Sequence, residues 1–359
     1  MKKIALDGWA LVNASASPQA LHLLGLLAHL PADRQAVALL PVGSPGEVSA
    51  GIPAWFDGSV KTLGKDCPNT AWGRLAWEQR HLPALARQAK ADYLHADSLS
   101  APFFPGLVCT TSSSAAPAAR RGPAEHLCAA LGAGGAARAH SRPHSMLWPA
   151  DLASPPGLAG LVLCKPFVHP AFHPASPAGG PLDSDRAYVL YHGPGRPADL
   201  HRLAAAWSWA ARSVGSHISL AAAGLAEPER RLLQQIAAEY QVSDSLQALP
   251  DLTPEELPAL YQNCAALFHP AEVSPWGDPI LLALACGKAV AAAYTPGAQQ
   301  RVGPAAYLAD INSPRALGAA LLTILIEERI AAELGSAAQE RFASLPGADV
   351  QSALGQLWK

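Results

Sequence analysis

Apolar and polar positions along this 359-residue chain follow two rhythms, a short one of strands and a 3.6-residue one of helices, in regular turn. KIALDGWAL reads as a strand, and Ser17 and Pro18 then serve as N-cap and first residue of the helix ALHLLGLLAHL. AVALLPV is a second strand. WGRLAWEQRHLPALARQAK reads as a helix kinked or restarted at Pro83, followed by the strands ADYLHAD and GLVCTT. From Ser112 to about Pro156 little is periodic, and the pattern predicts one helix near Ala124 to Leu131 with loops around it. GLVLCKPFV restores the alternation. Beyond ASPAGGPLDSD, a linker by composition, AYVLYHG, HISLAAAG, SLQALPD, AALFHPA, KAVAAAY and AAYLAD read as strands. They alternate with the helices ADLHRLAAAWSWAARS, EPERRLLQQIAAEYQ, TPEELPALYQNC and DPILLALACG, and a long helix follows.

Strictly alternating strands and helices favour parallel sheets covered on both faces, an α/β class. The expected organisation is a Rossmann-like domain over 1–170, a linker over 171–187, a second Rossmann-like domain over 188–345 and a terminal helix over 346–359. Ligands of such domains sit beyond the carboxyl ends of the strands. The length suits two domains, each able to bury a full core.

Composition narrows the function. With 50% hydrophobic and 15% charged residues, 33 prolines and 29 glycines, the chain is globular and well punctuated. A net charge of −2 offers no basic face for nucleic acid. Cys67, Cys109, Cys128, Cys164, Cys264 and Cys286 form no C-x-x-C pair or regular spacing, so neither a zinc site nor a disulfide framework is indicated, and they read as reduced thiols of a cytoplasmic protein. MKKIALDGWAL is a first strand rather than a signal peptide. No apolar run reaches eighteen residues, so no transmembrane segment is expected.

One stretch, AEVSPWGDPILLALACGKAV, is shaped like a ligand-binding element. Asp278 suits the N-cap, Pro279 the first helical position, and Gly287 the residue after the helix. A helix start there offers partial positive charge to an anion, but the Asp278 carboxylate competes for the same amides. His192 and His269 each end a strand on the expected ligand side.

In order and spacing, YVLYHG, the strand ending LAAAG, LPALYQNCAALFHP, WGDPILLALACGKAV and TPGAQQRVGPAAYLAD resemble the C-terminal domain of family 4 glycosyltransferases, from Tyr188 to about Phe342. IALDGWAL, WEQRHLPALARQAKADYLHAD and the junction-like KPFVHPAF extend the resemblance more faintly into the first half, where the chain is shorter than usual. The resemblance implies the GT-B fold of two facing Rossmann-like domains. It also implies a retaining transfer from a nucleotide-diphosphate sugar in the interdomain cleft to an acceptor on the N-terminal domain, with no further cofactor and no metal. Carried over position by position, the family's E-x7-E acids fall on Ser274 and Leu282, with Glu272 two residues before the first. The diphosphate-binding turn falls on Gly193, followed by Pro194, with Arg196 the nearest cation. Backbone amides from Gly277 through Asp278 to Ile280, and His269, complete the donor-side candidates. The family's histidine at a strand end falls near Ser112 and Ser113, and its glycine-rich turn is NASASP, with Asn13 and Ser15. Glu272 and Ser112 are therefore the catalytic candidates. Lys288 and Arg301 are the other cations that a rebuilt donor site would use. These substitutions leave two functions open: a divergent glycosyltransferase, or a catalytically degenerate relative that binds or scaffolds an active partner. His22 and His95 read as core or surface residues.

Overall fold

The computed structural model describes residues 1–42, 60–113, 123–158, 160–175, 187–193 and 195–359. Pro194 and most of the expected linker lie outside these residues. The described chain divides into two units: Met1–His169 with Ser274–Gly277 and Pro346–Lys359, and Pro170–Val273 with Asp278–Leu345. The division falls inside KPFVHPAF. The first unit also takes Ser274–Gly277, which the expected 188–345 span had placed in the second domain.

The first unit is built on a seven-stranded sheet: β1 (Lys2–Asp7), β2 (Arg34–Leu40), β3 (Lys61–Gly64), β4 (Tyr93–Asp97), β5 (Val108–Ser112), β6 (Met146–Pro149) and β7 (Leu161–Cys164). Their order is β3-β2-β1-β4-β5-β6-β7, with every paired ladder parallel. The order reverses between β1 and β4, which marks the switch point of a doubly wound sheet. The expected strand KIALDGWAL ends early. The Asp7 carboxylate accepts from Trp9 N at 3.2 Å, turning the chain into a short helix, α1 (Trp9–Asn13). Ser17 caps α2 (Pro18–Ala28) as the spacing predicts, accepting from Ala20 N at 3.3 Å.

The helix expected to kink at Pro83 runs as α3 (Ala71–Ala76), one π turn (Trp77–His81) and α4 (Leu82–Gln88). Proline has no N–H for its own ladder bond and its ring crowds the carbonyl four residues back, so widening the preceding turn relieves the clash. The largest difference lies in 112–156. There the chain forms an 18-residue helix, α5 (Pro123–His140), and the strand β6, where mostly loops were expected. Gly132 and Gly135 explain both the helix and its illegibility. Each lies where a Cβ would meet backbone carbonyls of Leu99 and Ala101 at 2.2 and 2.3 Å. The helix therefore packs by close backbone approach rather than by an apolar stripe.

The second unit carries a six-stranded parallel sheet: β8 (Ala187–His192), β9 (Ile218–Ala223), β10 (Leu246–Ala248), β11 (Ala266–His269), β12 (Val290–Tyr294) and β13 (Tyr307–Asp310), ordered β10-β9-β8-β11-β12-β13. Its switch point lies between β8 and β11. The helices are α6 (Pro197–Val214), α7 (Glu227–Glu239), α8 (Glu256–Asn263), α9 (Pro279–Ala285), α10 (Pro296–Val302), α11 (Pro314–Ile326) and α12 (Glu328–Ser344). The one long helix expected at the end of this unit is instead two, α11 and α12, separated at Glu327. Tyr191, Leu203, Trp207, Phe268 and Leu321, all fully buried, are part of its core. The last helix, α13 (Val350–Leu357), belongs to the first unit, where Leu354, Leu357 and the fully buried Trp358 join Ile4, Leu24 and Trp276 in one cluster.

No helix among the described residues is long and apolar enough to cross a membrane. The six cysteines are buried and unbridged. Burial pushes the thiols of Cys109, Cys164, Cys264 and Cys286 up to about 12, so they are inert as nucleophiles.

Candidate functional site

The first unit has a cavity of about 240 Å³ at the carboxyl ends of its central strands. Asp7 ends β1, Asp97 ends β4 and Ser112 ends β5, so the three arrive together because the strands are parallel and adjacent. α1 and α2 supply Trp9, Asn13 and His22, and the α3–π segment supplies Arg74 and Glu78. The sequence reading had singled out Ser112 and Asn13, and both line this cavity. It had not singled out Asp7, Arg74, Glu78 or Asp97, nor linked His22 and His95 to a ligand. A signal was present: KIALD and YLHAD each finish a strand on aspartate, and Glu78 stands one helical turn after Arg74.

The polar groups here are unevenly satisfied. Asp7 accepts from Trp77 Nε1 at 2.9 Å and from Ser100 Oγ at 3.0 Å, besides Trp9 N. His95 bridges Thr110 Oγ1 at 3.0 Å and Ser112 Oγ at 3.2 Å. Arg74 Nε donates to Glu78 Oε1 at 2.8 Å, but Glu78 Oε2 has no hydrogen-bond partner although the residue is only 1% exposed. Burial raises the Glu78 carboxyl to about 7, outweighing the Arg74 guanidinium, with Asp7 and Asp97 pushing the same way. His22 is stacked on the Trp276 indole with 4.8 Å between centroids, and neither of its ring nitrogens has a hydrogen-bond partner. Burial holds His22 well below its ordinary value and His95 down to about 3, so both are neutral. A cavity with three carboxyl groups, one guanidinium and two neutral imidazoles attracts cations and hydrogen-bond donors and repels anions.

The donor-side candidates are placed differently. Asp278 caps α9, its carboxylate accepting from Ile280 N at 2.9 Å. It also pairs with Arg301 at 3.6 Å, both side chains fully buried. Asp278 thus fills the helix start that was to receive an anion, and Arg301 serves Asp278. Leu282, where the resemblance places the second acid, is 1% exposed and lies in the core. The start of so short a helix faces inward, and every residue of α9 is buried. Gly277, expected to present its amide, is also buried. At φ 63°, a Cβ on it would lie 2.0 Å from the Pro18 carbonyl oxygen, so the turn is pressed onto the start of α2. Trp276 Nε1 donates to the Leu147 carbonyl at 3.2 Å and pins the same turn. Ser274 is half-buried in this turn, and Glu272 is exposed two residues before it.

Gly193 follows β8, and Arg196 is the N-cap residue of α6. Arg196 is ion-paired with Asp199 at 2.5 Å, and Arg202 holds the other oxygen of Asp199 at 2.7 Å while donating to the Pro270 carbonyl. The Glu229 carboxyl group packs against Gly195. The cations near this turn are therefore matched by carboxylates from their own unit. His192 and His269 end the two strands that flank the switch point, two residues beyond the paired Leu190 and Leu267. His192 Nδ1 lies 2.8 Å from the Tyr261 hydroxyl. His269 Nε2 lies 3.3 Å from the Glu272 carbonyl oxygen, while its buried Nδ1 has no hydrogen-bond partner. Among the described residues no group of three or more His, Cys, Asp or Glu is placed to hold a metal ion.

Two parallel sheets of seven and six strands, each with helices and each with polar residues at its switch point, define a GT-B protein. The whole chain is similar to sucrose-phosphate synthase from Thermosynechococcus elongatus, with a TM-score of 0.68 at 18% identity over 100% of this chain and 98% of that one. It is also similar to HepE of Anabaena, solved with UDP and glucose, with a TM-score of 0.66 at 16% identity over 99% and 98%. WaaG, a glycosyltransferase involved in lipopolysaccharide biosynthesis, gives 0.62 at 13% over 99% and 98%. Residues 175–341, just under half of the chain, match the model of the family described as glycosyl transferases group 1. No curated protein sequence matches the chain.

Proposed function

We propose that the protein is a glycosyltransferase that moves a sugar from a nucleotide-diphosphate sugar to an acceptor, with retention, and that the first unit holds the acceptor. The observation that carries this reading is the switch-point cavity of the first sheet, where Glu78 and His22 are buried with hydrogen-bonding atoms left open. A carboxyl group near neutrality suits proton exchange with an acceptor hydroxyl. His269, with Nδ1 open at the second switch point, supports a ligand on that unit as well. The related fold of HepE takes UDP and glucose, which makes UDP-sugars the first donors to try. On this reading Arg196 leaves Asp199 for the diphosphate, Ser274 and Glu272 stand near the sugar, and the reaction runs in the cytoplasm without a metal.

A second reading is favoured by the internal pairing of Arg196 and Arg301 and by the burial of Leu282. Under it the chain is a catalytically degenerate relative that binds or scaffolds an active glycosyltransferase. Calorimetric titration with UDP, GDP, ADP and their sugars separates the two. Micromolar binding of one nucleotide, weakened at least tenfold by Arg196→Ala, supports the first reading, and transfer to an acceptor completes the case. Absence of binding at millimolar nucleotide rejects it in favour of the second.

A further inference from the structure

The cavity of the first unit also carries information about what it accepts. Its volume of about 240 Å³ is below the roughly 300–1,000 Å³ of drug-sized pockets and suits one ring rather than an oligomer. Asp7, Asp97 and Glu78 face it against a single guanidinium, that of Arg74, with His22 and His95 neutral. An anionic ligand would meet net negative charge in a partly desolvated space, whereas an ammonium would be drawn in. Glu78 and His22 line the cavity, and Glu78 Oε2 and both His22 nitrogens are buried without a hydrogen-bond partner, so a ligand N–H or O–H reaching them would satisfy groups the fold leaves unpaired. Trp9, also lining the cavity, adds an indole on which an ammonium or the C–H face of a ring packs favourably.

We propose that this cavity selects an amine-bearing hydroxylated ring, the class of amino sugars and aminocyclitols, and rejects phosphorylated or carboxylated rings. The ammonium faces Asp7, Asp97 and Glu78, and a ring hydroxyl engages His22. The assignment rests on reading the cavity as the acceptor side, but its test uses no nucleotide and so is independent of whether the second unit binds a donor.

Glucosamine, glucose, glucose 6-phosphate and glucuronate are titrated separately against the full chain at pH 7 and low salt, by calorimetry and ligand-observed NMR. Glucosamine is expected to bind at least tenfold more tightly than glucose, with the two anions weaker than glucose. Because burial raises the Glu78 carboxyl to about 7 among Arg74, Asp7, Asp97, His22 and His95, ammonium binding at pH 7 should release protons from it, read from buffers of different ionisation enthalpy. Glu78→Gln should cut the preference for glucosamine to under threefold and abolish the proton release. Arg74 is 45% exposed, so Arg74→Gln is compatible with folding, and it should strengthen glucosamine binding severalfold. Equal binding of glucosamine and glucose, tightest binding of either anion, or binding of none of the four overturns the proposal.

Discussion

Glu78 offers the sharpest quantitative test, because burial and charge pull on it in opposite directions. Its carboxyl stands at about 7 against an ordinary 4.5, although Arg74 donates to it at 2.8 Å. Desolvation therefore wins over the ion pair, in accord with one oxygen having no hydrogen-bond donor. The folded chain keeps this proton through a range in which the unfolded chain has released it. The corresponding stability is fully present below pH 4.5 and is lost as pH rises to about 7. At about 1.4 kcal/mol per pH unit, this gap is worth about 3 kcal/mol. Replacing Glu78 with glutamine removes the titration and keeps the shape. Urea unfolding of both proteins at half-unit steps from pH 4.5 to 8 is the assay, with the transitions of the two units fitted separately. The wild-type first unit should lose about 3 kcal/mol relative to Glu78→Gln across that window, other groups cancelling in the difference. Parallel curves, or a wild type that gains relative stability with pH, would refute the claim that burial dominates.

Three further substitutions probe the rest. Arg301→Ala removes the guanidinium paired with Asp278 inside the second unit, and loss of one partner from a buried pair costs about 3–5 kcal/mol, to be read from the midpoint of that unit's urea transition. Gly277→Ala combines φ 63° with a Cβ 2.0 Å from a backbone oxygen that no side-chain rotation can move, so the first unit should lose at least about 2 kcal/mol in the same experiment. Leu282→Glu restores the family's acid at a position 1% exposed, and differential scanning fluorimetry should show destabilisation without any gain in nucleotide binding. Nucleotide binding gained by that variant would show that α9 can turn the position outward.

The fold was legible wherever packing uses side chains in the usual rhythm. VLY, SLAAA, ALF and VAAA read as buried strands because parallel strands covered on both faces need continuous apolar runs. Asp278, Pro279 and Gly287 marked α9 through capping chemistry, which is local to the sequence. Illegible were the places where the backbone itself is the packing surface, as in α5, whose Gly132 and Gly135 approach carbonyls of a distant loop and leave no stripe to read. The site was harder still. Asp7 and Asp97 are 90 residues apart and become neighbours only through the β1–β4 pairing, and Glu78 reaches them from a π turn that no periodicity predicts. Family resemblance drew attention to Ser112, which lines the first unit's cavity, and to Leu282, which lies buried in α9. Such a transfer carries positions but not orientations.

The two switch points differ in how their polar groups are satisfied, and this bears on which one is built for a ligand. In the second unit Asp278 is matched by Arg301 and the Ile280 amide, and Asp199 by Arg196 and Arg202, so a phosphate must displace an existing ion pair before gaining anything. Among the buried side-chain atoms of the described candidates there, His269 Nδ1 is the one without a hydrogen-bond partner. In the first unit Glu78 and His22 line a cavity and keep buried polar atoms without partners, and each such atom costs about 1–3 kcal/mol that no contact within the fold returns. A ligand that supplies those hydrogen bonds recovers this cost along with its own binding energy. Saturating glucosamine should therefore raise the stability of the first unit by mass action, about 2.7 kcal/mol at a hundred times its Kd, and leave the second unit's transition unmoved. A shift in the second unit alone would put the ligand, and the logic of unsatisfied groups, at the wrong switch point.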